Sequence, residues 1–175
     1  MLAQALAAGD RAGVLDRLFT NSPQEKQLAD ATADLAEATA QLRKAAVAAF
    51  GESGAGPLGA DLSASPEALK RIDAARVELD GDKATVRPGE SDGPPVVLVR
   101  RDGVWRVPVG ELSKDVESAD VQRSIDAMNE QAKQMKAMAG EVEGKKYKSA
   151  VAAREELDKR IMTGVVGKGG EREKK

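Results

Sequence analysis

The two residue types that most often carry chemistry in proteins, histidine and cysteine, are both missing from this chain. Without histidine there is no usual general base and no serine–histidine pair. Without cysteine there is no thiolate nucleophile and no disulfide. Zinc, copper and haem iron therefore lose their usual ligands, and only carboxylates, carbonyls and thioethers remain. The sequence predicts no catalytic residue, no metal site and no cofactor.

Aromatic side chains are the remaining candidates for lining a binding pocket. The whole set is Phe19, Phe50, Trp105 and Tyr147. We take Trp105, Phe50 and Phe19 as candidate pocket residues, although a single tryptophan in an aromatic-poor protein more often packs in the core. So few aromatics leave little for stacking on bases, and a net charge of −2 offers no basic surface for phosphates. No nucleic-acid partner is expected.

Charged residues on the predicted strands have a plainer interpretation than a binding site. Four arginines alternate with apolar residues there: Arg76, Arg87, Arg100 and Arg106. Such alternation favours a solvated sheet face over an anion site. Asp80 and Asp82 flank Gly81 and resemble half of a calcium loop, but the run of oxygen ligands is too short and indicates a hairpin turn.

Helical periodicity dominates the first fifty residues. Gly9-Asp10 predicts a break between two short helical pieces that extend through Phe19. Ser22 and Glu25 form a capping box around Pro23, which predicts the start of a long helix that ends near Phe50. Its leucines recur every seven residues, at Leu28, Leu35 and Leu42. That seam predicts antiparallel packing on a neighbouring helix.

The period changes to two after residue 75. A loop from Gly51 to Ala64 and a short helix from Ser65 to Asp73 should precede this region. Four alternating or apolar runs follow, Ala75–Leu79, Ala84–Arg87, Val96–Val99 and Val104–Val107. Turn signals join them at Gly81-Asp82, Pro88–Pro94 and Asp102-Gly103. They predict a four-stranded antiparallel meander, in which Val96–Val99 is apolar on both faces and should be covered on both.

The C-terminal third predicts a helical hairpin. Apolar residues from Val121 to Val142 are spaced four and three apart, which places Met128 and Met135 on the seam and leaves Met138 off it, where it could be exposed. A second helix should return antiparallel over residues 146–163, before a disordered tail over 164–175. We expect the hairpin to cover the meander, within the chain or in a dimer partner, so the predicted units are 1–109, 110–163 and 164–175.

Three short motifs resemble the nuclear transport factor 2-like superfamily over residues 1–109. They are Ala7–Asp10, the hairpin Leu79–Ala84 and the closing run Asp102–Val107. The resemblance implies a cone in which a curved sheet wraps helices around a pocket, and many members dimerise through the outer face of the sheet. Enzymatic members use His, Tyr and Asp in that pocket. This chain has no histidine, and its only tyrosine, Tyr147, lies outside the resembling region.

The combined pattern predicts an α+β protein in which N-terminal helices pack on the meander. We interpret it as a non-catalytic accessory or binding domain for a protein partner or a small apolar ligand. Two alternatives stay open, a lyase or isomerase that uses a pocket carboxylate, and a structural oligomer held by the heptads of Val121–Val142. The partner would be a second copy or another protein.

The location of the protein depends on what precedes the first residue. No segment is apolar enough to cross a membrane. The N-terminus lacks the positive charges of a signal peptide. The sequence therefore predicts a cytoplasmic protein as it stands, or an exported one if a signal segment lies upstream of Met1.

Elemental analysis tests the expected absence of metal. Because both strong nitrogen and sulfur ligands are missing, the purified protein should contain far less than one equivalent of zinc, copper or iron. A stoichiometric amount of any of the three would contradict the expectation.

Overall fold

The computed structural model describes residues 2–58, 75–87, 95–114 and 116–169. Within these ranges the helices are α1 (Leu2–Ala8), α2 (Arg11–Arg17), α3 (Pro23–Ala55), α4 (Val109–Ser113), α5 (Ser118–Glu143) and α6 (Ala150–Gly169). The strands are β1 (Leu18–Phe19), β2 (Arg76–Asp80), β3 (Lys83–Arg87), β4 (Val96–Arg101) and β5 (Val104–Pro108). The predicted α+β class is confirmed.

Helices α2 and α3 begin at the breaks and capping residues that the sequence predicts. Gly9 has a φ of 65° and separates α1 from α2, and the Asp10 carboxylate caps α2 by accepting from the Gly13 N–H at 2.9 Å. Ser22 caps α3 in the same way, accepting from the Glu25 N–H at 3.1 Å. Gly51, with a φ of 73°, interrupts α3 after Phe50. A helical turn resumes to Ala55 and a 3₁₀ turn follows over Gly56–Leu58, so the loop predicted from Gly51 is wrong over these residues; its remainder, 59–64, lies outside the described residues.

The meander closes with the two short turns that were predicted. Strands β2 to β5 pair antiparallel in sequence order. Gly81 has a φ of 57° in the first turn, and Asp102 and Gly103 have φ values of 53° and 76° in the second. Two consecutive residues with positive φ are typical of a type I′ turn, whose twist matches that of paired strands. Asp-Gly is a favoured sequence for this turn.

A fifth strand makes the sheet mixed. Leu18 and Phe19 were predicted as helix, but they leave it and pair parallel to β5, opposite Val107 and Pro108. The strand order is β1-β5-β4-β3-β2. The prediction of a four-stranded antiparallel sheet is therefore wrong in this detail. The pairing partner lies far along the chain, where local periodicity carries no information about it.

Helices α3 and α5 run parallel along most of their length. Near their starts, Gln24 and Ser118 exchange two hydrogen bonds, of 2.9 and 3.0 Å. Further along, the Thr39 hydroxyl donates to the Met135 sulfur at 3.3 Å. The antiparallel packing predicted for α3 is therefore wrong for this neighbour. The chain passes through the sheet and returns beside the start of α3 before α5 begins.

Helix α3 is covered on two sides, and its alanines face the neighbouring helices there. One side meets the turn between α1 and α2, where the position of a Cβ on Gly9 would lie 2.4 Å from the Ala40 Cβ. The other side meets α5, with Ala31 packed on Val121 and Ile125. Eight alanines of this helix are buried: Ala29, Ala31, Ala33, Ala36, Ala38, Ala45, Ala46 and Ala55. Small side chains on both sides allow three helical layers to approach closely.

The C-terminal helices pack on α3 rather than across the meander. Met138, Val142 and Leu157 share a core with Leu42 near the end of α3. Met138 is fully buried, contrary to the prediction that it could be exposed, because α6 covers that side of α5. The expected cover of the meander by the hairpin is therefore wrong within this chain. Helix α6 also continues to Gly169, beyond the predicted end at 163.

Three further expectations concern residues that the structure does not describe. They are the helix Ser65–Asp73, the turn Pro88–Pro94 and the last residues of the tail, 170–175. These lie outside the described residues.

Replacing Gly9 with alanine tests the close approach of α1–α2 to α3. An alanine at positive φ costs about 1–2 kcal/mol, and the clash with Ala40 adds about 1–3 kcal/mol of overpacking. Gly81→Ala is the matched control, since Gly81 also has positive φ but no atom within 4 Å of the added Cβ. Urea unfolding should show a clearly larger loss for Gly9→Ala. Equal losses would show that contact with Ala40 is not limiting.

Candidate functional site

One side of the sheet carries mainly apolar side chains. Residues paired across strands project to the same side. Val77 pairs with Val86, which pairs with Val96, while Leu79 pairs with Ala84, which pairs with Leu98. We call this set, with Trp105 and Val107 of β5, the apolar sheet face: Val77, Leu79, Ala84, Val86, Val96, Leu98, Trp105 and Val107.

The apolar sheet face is least covered at its β2 side. Val77, Leu79 and Val96 are exposed by 56%, 69% and 40%. The following residues of the same strand, Val97–Val99, are half-buried. The expectation that Val96–Val99 is covered on both faces is therefore wrong for Val96. Helices α5 and α6, which were expected to cover this strand, pack on α3 instead.

The three candidate pocket residues do not line a common pocket. Trp105 belongs to the apolar sheet face, and the Arg100 guanidinium lies 5.4 Å from its ring centre. Phe19 lies on β1 with Arg101 at the same distance, 5.4 Å, from its ring. Phe50 packs instead on the helical core around Leu42. Each aromatic therefore has a packing partner, and sequence alone could not show that Phe50 belongs to a different part of the fold.

Two surface grooves are lined by other residues. One, of about 200 Å³, lies between the start of α3, α4 and the start of α5. The second, of about 760 Å³, runs between α1 and α3 and includes Gly9, Lys44 and Val47 in its lining. Neither groove includes Trp105 or Phe19.

Three of the four strand arginines are paired with acceptors rather than gathered around an anion site. Arg87 pairs with Glu78 at 3.2 Å across β2 and β3. Arg100 pairs with Asp82 at 2.9 Å. Arg106 donates to the carbonyl of Asp16 at 2.8 Å. These contacts agree with the solvated sheet face predicted from alternation, and with the turn interpretation of Asp82.

A polar cluster that sequence reasoning missed joins α5 to α6. The Tyr147 hydroxyl donates to Glu141 Oε2 at 2.5 Å, and Arg160 donates to both oxygens of Glu141 at 3.1 Å. Lys146 adds an ion pair to Glu141 at 3.0 Å, and Glu156 accepts from Arg160 at 3.0 Å. Apart from the helical spacing of Glu156 and Arg160, no sequence signal links these residues. Only the return of α6 along α5 brings them together.

The cluster holds its groups in their ordinary charge states at neutral pH. Hydrogen bonds from Arg160, Tyr147 and Lys146 lower the pKa of Glu141 to about 2. Burial, followed by the bond to Glu141, raises the pKa of Tyr147 to about 12. The hydrogen bonds to Glu141 and Glu156 raise the pKa of Arg160. Groups whose pKa values lie far from 7 are poor proton carriers at pH 7. The cluster is therefore suited to holding α5 and α6 together.

Searches for two other kinds of site cover the described residues only. Among them, no three acidic residues lie close enough together to hold a metal ion. None of the helices in these ranges combines the length and the apolar character that crossing a membrane requires.

Glu141→Gln tests the polar cluster through pH. Because the folded pKa of Glu141, about 2, lies below its ordinary value of 4.5, the carboxylate stabilises the fold above pH 4.5, and this contribution is lost as the pH falls toward 2. The variant should melt several degrees below the parent at pH 7, and the gap should close near pH 2. The exposed Glu143→Gln serves as the control and should change little. A gap that does not depend on pH would contradict the assignment.

Comparisons of the chain with protein-family models, with curated proteins and with solved structures each found no match.

Proposed function

We propose that this chain is a non-catalytic binding domain whose sheet docks a protein partner. The observation that carries the proposal is the exposed part of the apolar sheet face, where Val77 and Leu79 of β2 and Val96 of β4 project to the same side of the sheet, with β3 between them. Grouped exposed apolar side chains on a folded surface mark interaction sites more often than scattered ones do. A flat sheet surface suits another protein better than a small molecule.

The electrostatics support binding over catalysis. The polar cluster around Glu141 is the most strongly perturbed group of titratable residues described, and its pKa values move away from neutrality. A general acid or base works best when its pKa lies near the working pH. The lyase or isomerase alternative therefore gains no support from this cluster.

The oligomer alternative loses its proposed contact surface. The heptad residues Val121, Ile125 and Val142 are buried within one chain, against α3 and α6. A helix seam already covered in this way has little apolar surface left for a second chain. Contact between copies through α5 is therefore not part of the proposal.

The proposal includes a place in the nuclear transport factor 2-like superfamily. It is supported by the order of helices followed by a meander, and by the closing motif Asp102–Val107 at the second hairpin. The C-terminal hairpin of α5 and α6 is an addition that the family pattern does not imply. A small apolar ligand in the groove between α1 and α3 is the second candidate, favoured by its volume of about 760 Å³.

A pair of exposed-residue variants tests the protein-docking proposal. Leu79→Asp should abolish capture of a partner after cross-linking in cells, because it puts a charge into the docking surface. Met162→Asp is the matched control, since Met162 is exposed by 70% on α6 against 69% for Leu79 on β2. Both variants should keep the parent melting temperature. Equal capture by both variants would contradict docking through the apolar sheet face.

A further inference from the structure

Among the residues that the structure describes, strand β2 is an uncovered edge of the sheet. It stands last in the order β1-β5-β4-β3-β2, and all five of its residues are exposed. It contains neither proline nor lysine, which proteins commonly use to protect such an edge from pairing. An edge of this kind presents free main-chain groups to another strand.

The outward main-chain groups of β2 belong to Val77 and Leu79. Asp80 and Lys83 flank the two-residue turn and pair directly. In such a hairpin the flanking residues exchange both main-chain hydrogen bonds, and bonded and non-bonded pairs then alternate along the strand. Arg76, Glu78 and Asp80 therefore bond to β3. The N–H and C=O groups of Val77 and Leu79 point away from it.

The sequence of β2, Arg-Val-Glu-Leu-Asp, is complementary to itself in the antiparallel direction. When two copies are centred on Glu78, Arg76 lies opposite Asp80 of the second copy, and Val77 lies opposite Leu79. The two outward-facing residues then form hydrogen-bonded pairs, with four main-chain bonds in all. Val77 and Leu79 are the most exposed side chains of the apolar sheet face, and each would cover the other across the contact between the two copies.

The central pair places Glu78 opposite its own copy, and nearby arginines offset the repulsion. Within each chain Arg87 already holds Glu78 at 3.2 Å on the same side of the sheet. Arg76 of the second copy lies diagonally across from Glu78, within reach of a long side chain. Each carboxylate therefore has an arginine on either side.

Other registers match the charges less well. Centring the pair on Leu79 places Glu78 opposite Asp80, a like-charge contact that opposes pairing. Centring on Val77 places Arg76 opposite Glu78 of the second copy but leaves Asp80 without an opposite arginine. A shift by one residue turns the apolar side chains of one copy to the polar side of the other. Only the register centred on Glu78 uses both charged ends and both apolar residues.

We propose that two copies of this chain join through antiparallel pairing of their β2 strands, centred on Glu78, to form a continuous ten-stranded sheet. The inference rests on the proposed function and names the partner as a second copy. The fit of charge and of main-chain bonding selects that occupant over an unrelated strand.

Single cysteines test the register directly, because the natural chain has none. Glu78→Cys places two thiols at a non-hydrogen-bonded pair, whose Cα separation of about 4.5 Å suits a disulfide. Under mild oxidation of the full chain, it should form a covalent dimer at least about tenfold faster than Lys83→Cys, an exposed position on the inner strand β3. It should also outpace Val77→Cys. Equal rates for all three, or a faster Val77→Cys, would overturn the proposal.

Charge reversal tests the unmodified interface. Arg76→Asp places two acidic residues opposite each other at both ends and should weaken dimerisation at least about tenfold in sedimentation. The double variant Arg76→Asp with Asp80→Arg restores opposite charges and should recover most of the parent affinity. Failure of this rescue, or a parent chain that stays monomeric throughout, overturns self-pairing. A monomer whose capture of another protein still depends on Leu79 would leave the proposed function standing.

Discussion

Close packing of small side chains on α3 determines where the other helices and the sheet lie. Alanines on its two sides let the α1–α2 turn and α5 approach together, and Gly9 and Ala40 show how near the backbones come. Contacts at this range leave no space for an added methyl group, so the helices have few alternative registers. In a chain with so few aromatics, this close fit replaces the bulky core residues that other proteins use.

This packing also determines which surfaces stay free. The apolar residues of α5 and α6 pack on α3 and on each other. Neither helix therefore covers the outer strands of the sheet. The sheet is joined to the helices mainly through β5, β1 and the short helix α4. Its other side, at β2, ends in exposed Val77 and Leu79. Helical packing at one end thus leaves the apolar sheet face exposed at the other.

The polar cluster around Glu141 and the charged residues of β2 have different roles. The cluster of Glu141, Tyr147 and Arg160 is closed, with each member held by another, and it fixes the return of α6 along α5. The charges of β2 have a looser arrangement, in which Glu78 has one partner within the chain. A closed set of ion pairs stabilises the fold it belongs to. A strand edge with alternating charge and free main-chain groups is suited to a contact that forms after folding.

Local features were determined by sequence alone. The caps at Asp10 and Ser22, the interruption of α3 after Phe50, the four strands of the meander and both short hairpin turns follow from local backbone and side-chain preferences, so neighbouring residues suffice to predict them. Tertiary structure decided which faces meet. The parallel course of α3 and α5, the pairing of Leu18 with Val107, the burial of Met138 and the exposure of Val96 each depend on contacts between distant segments. Periodicity shows that a face is apolar, but the partner that covers it is chosen by the packing of the whole chain.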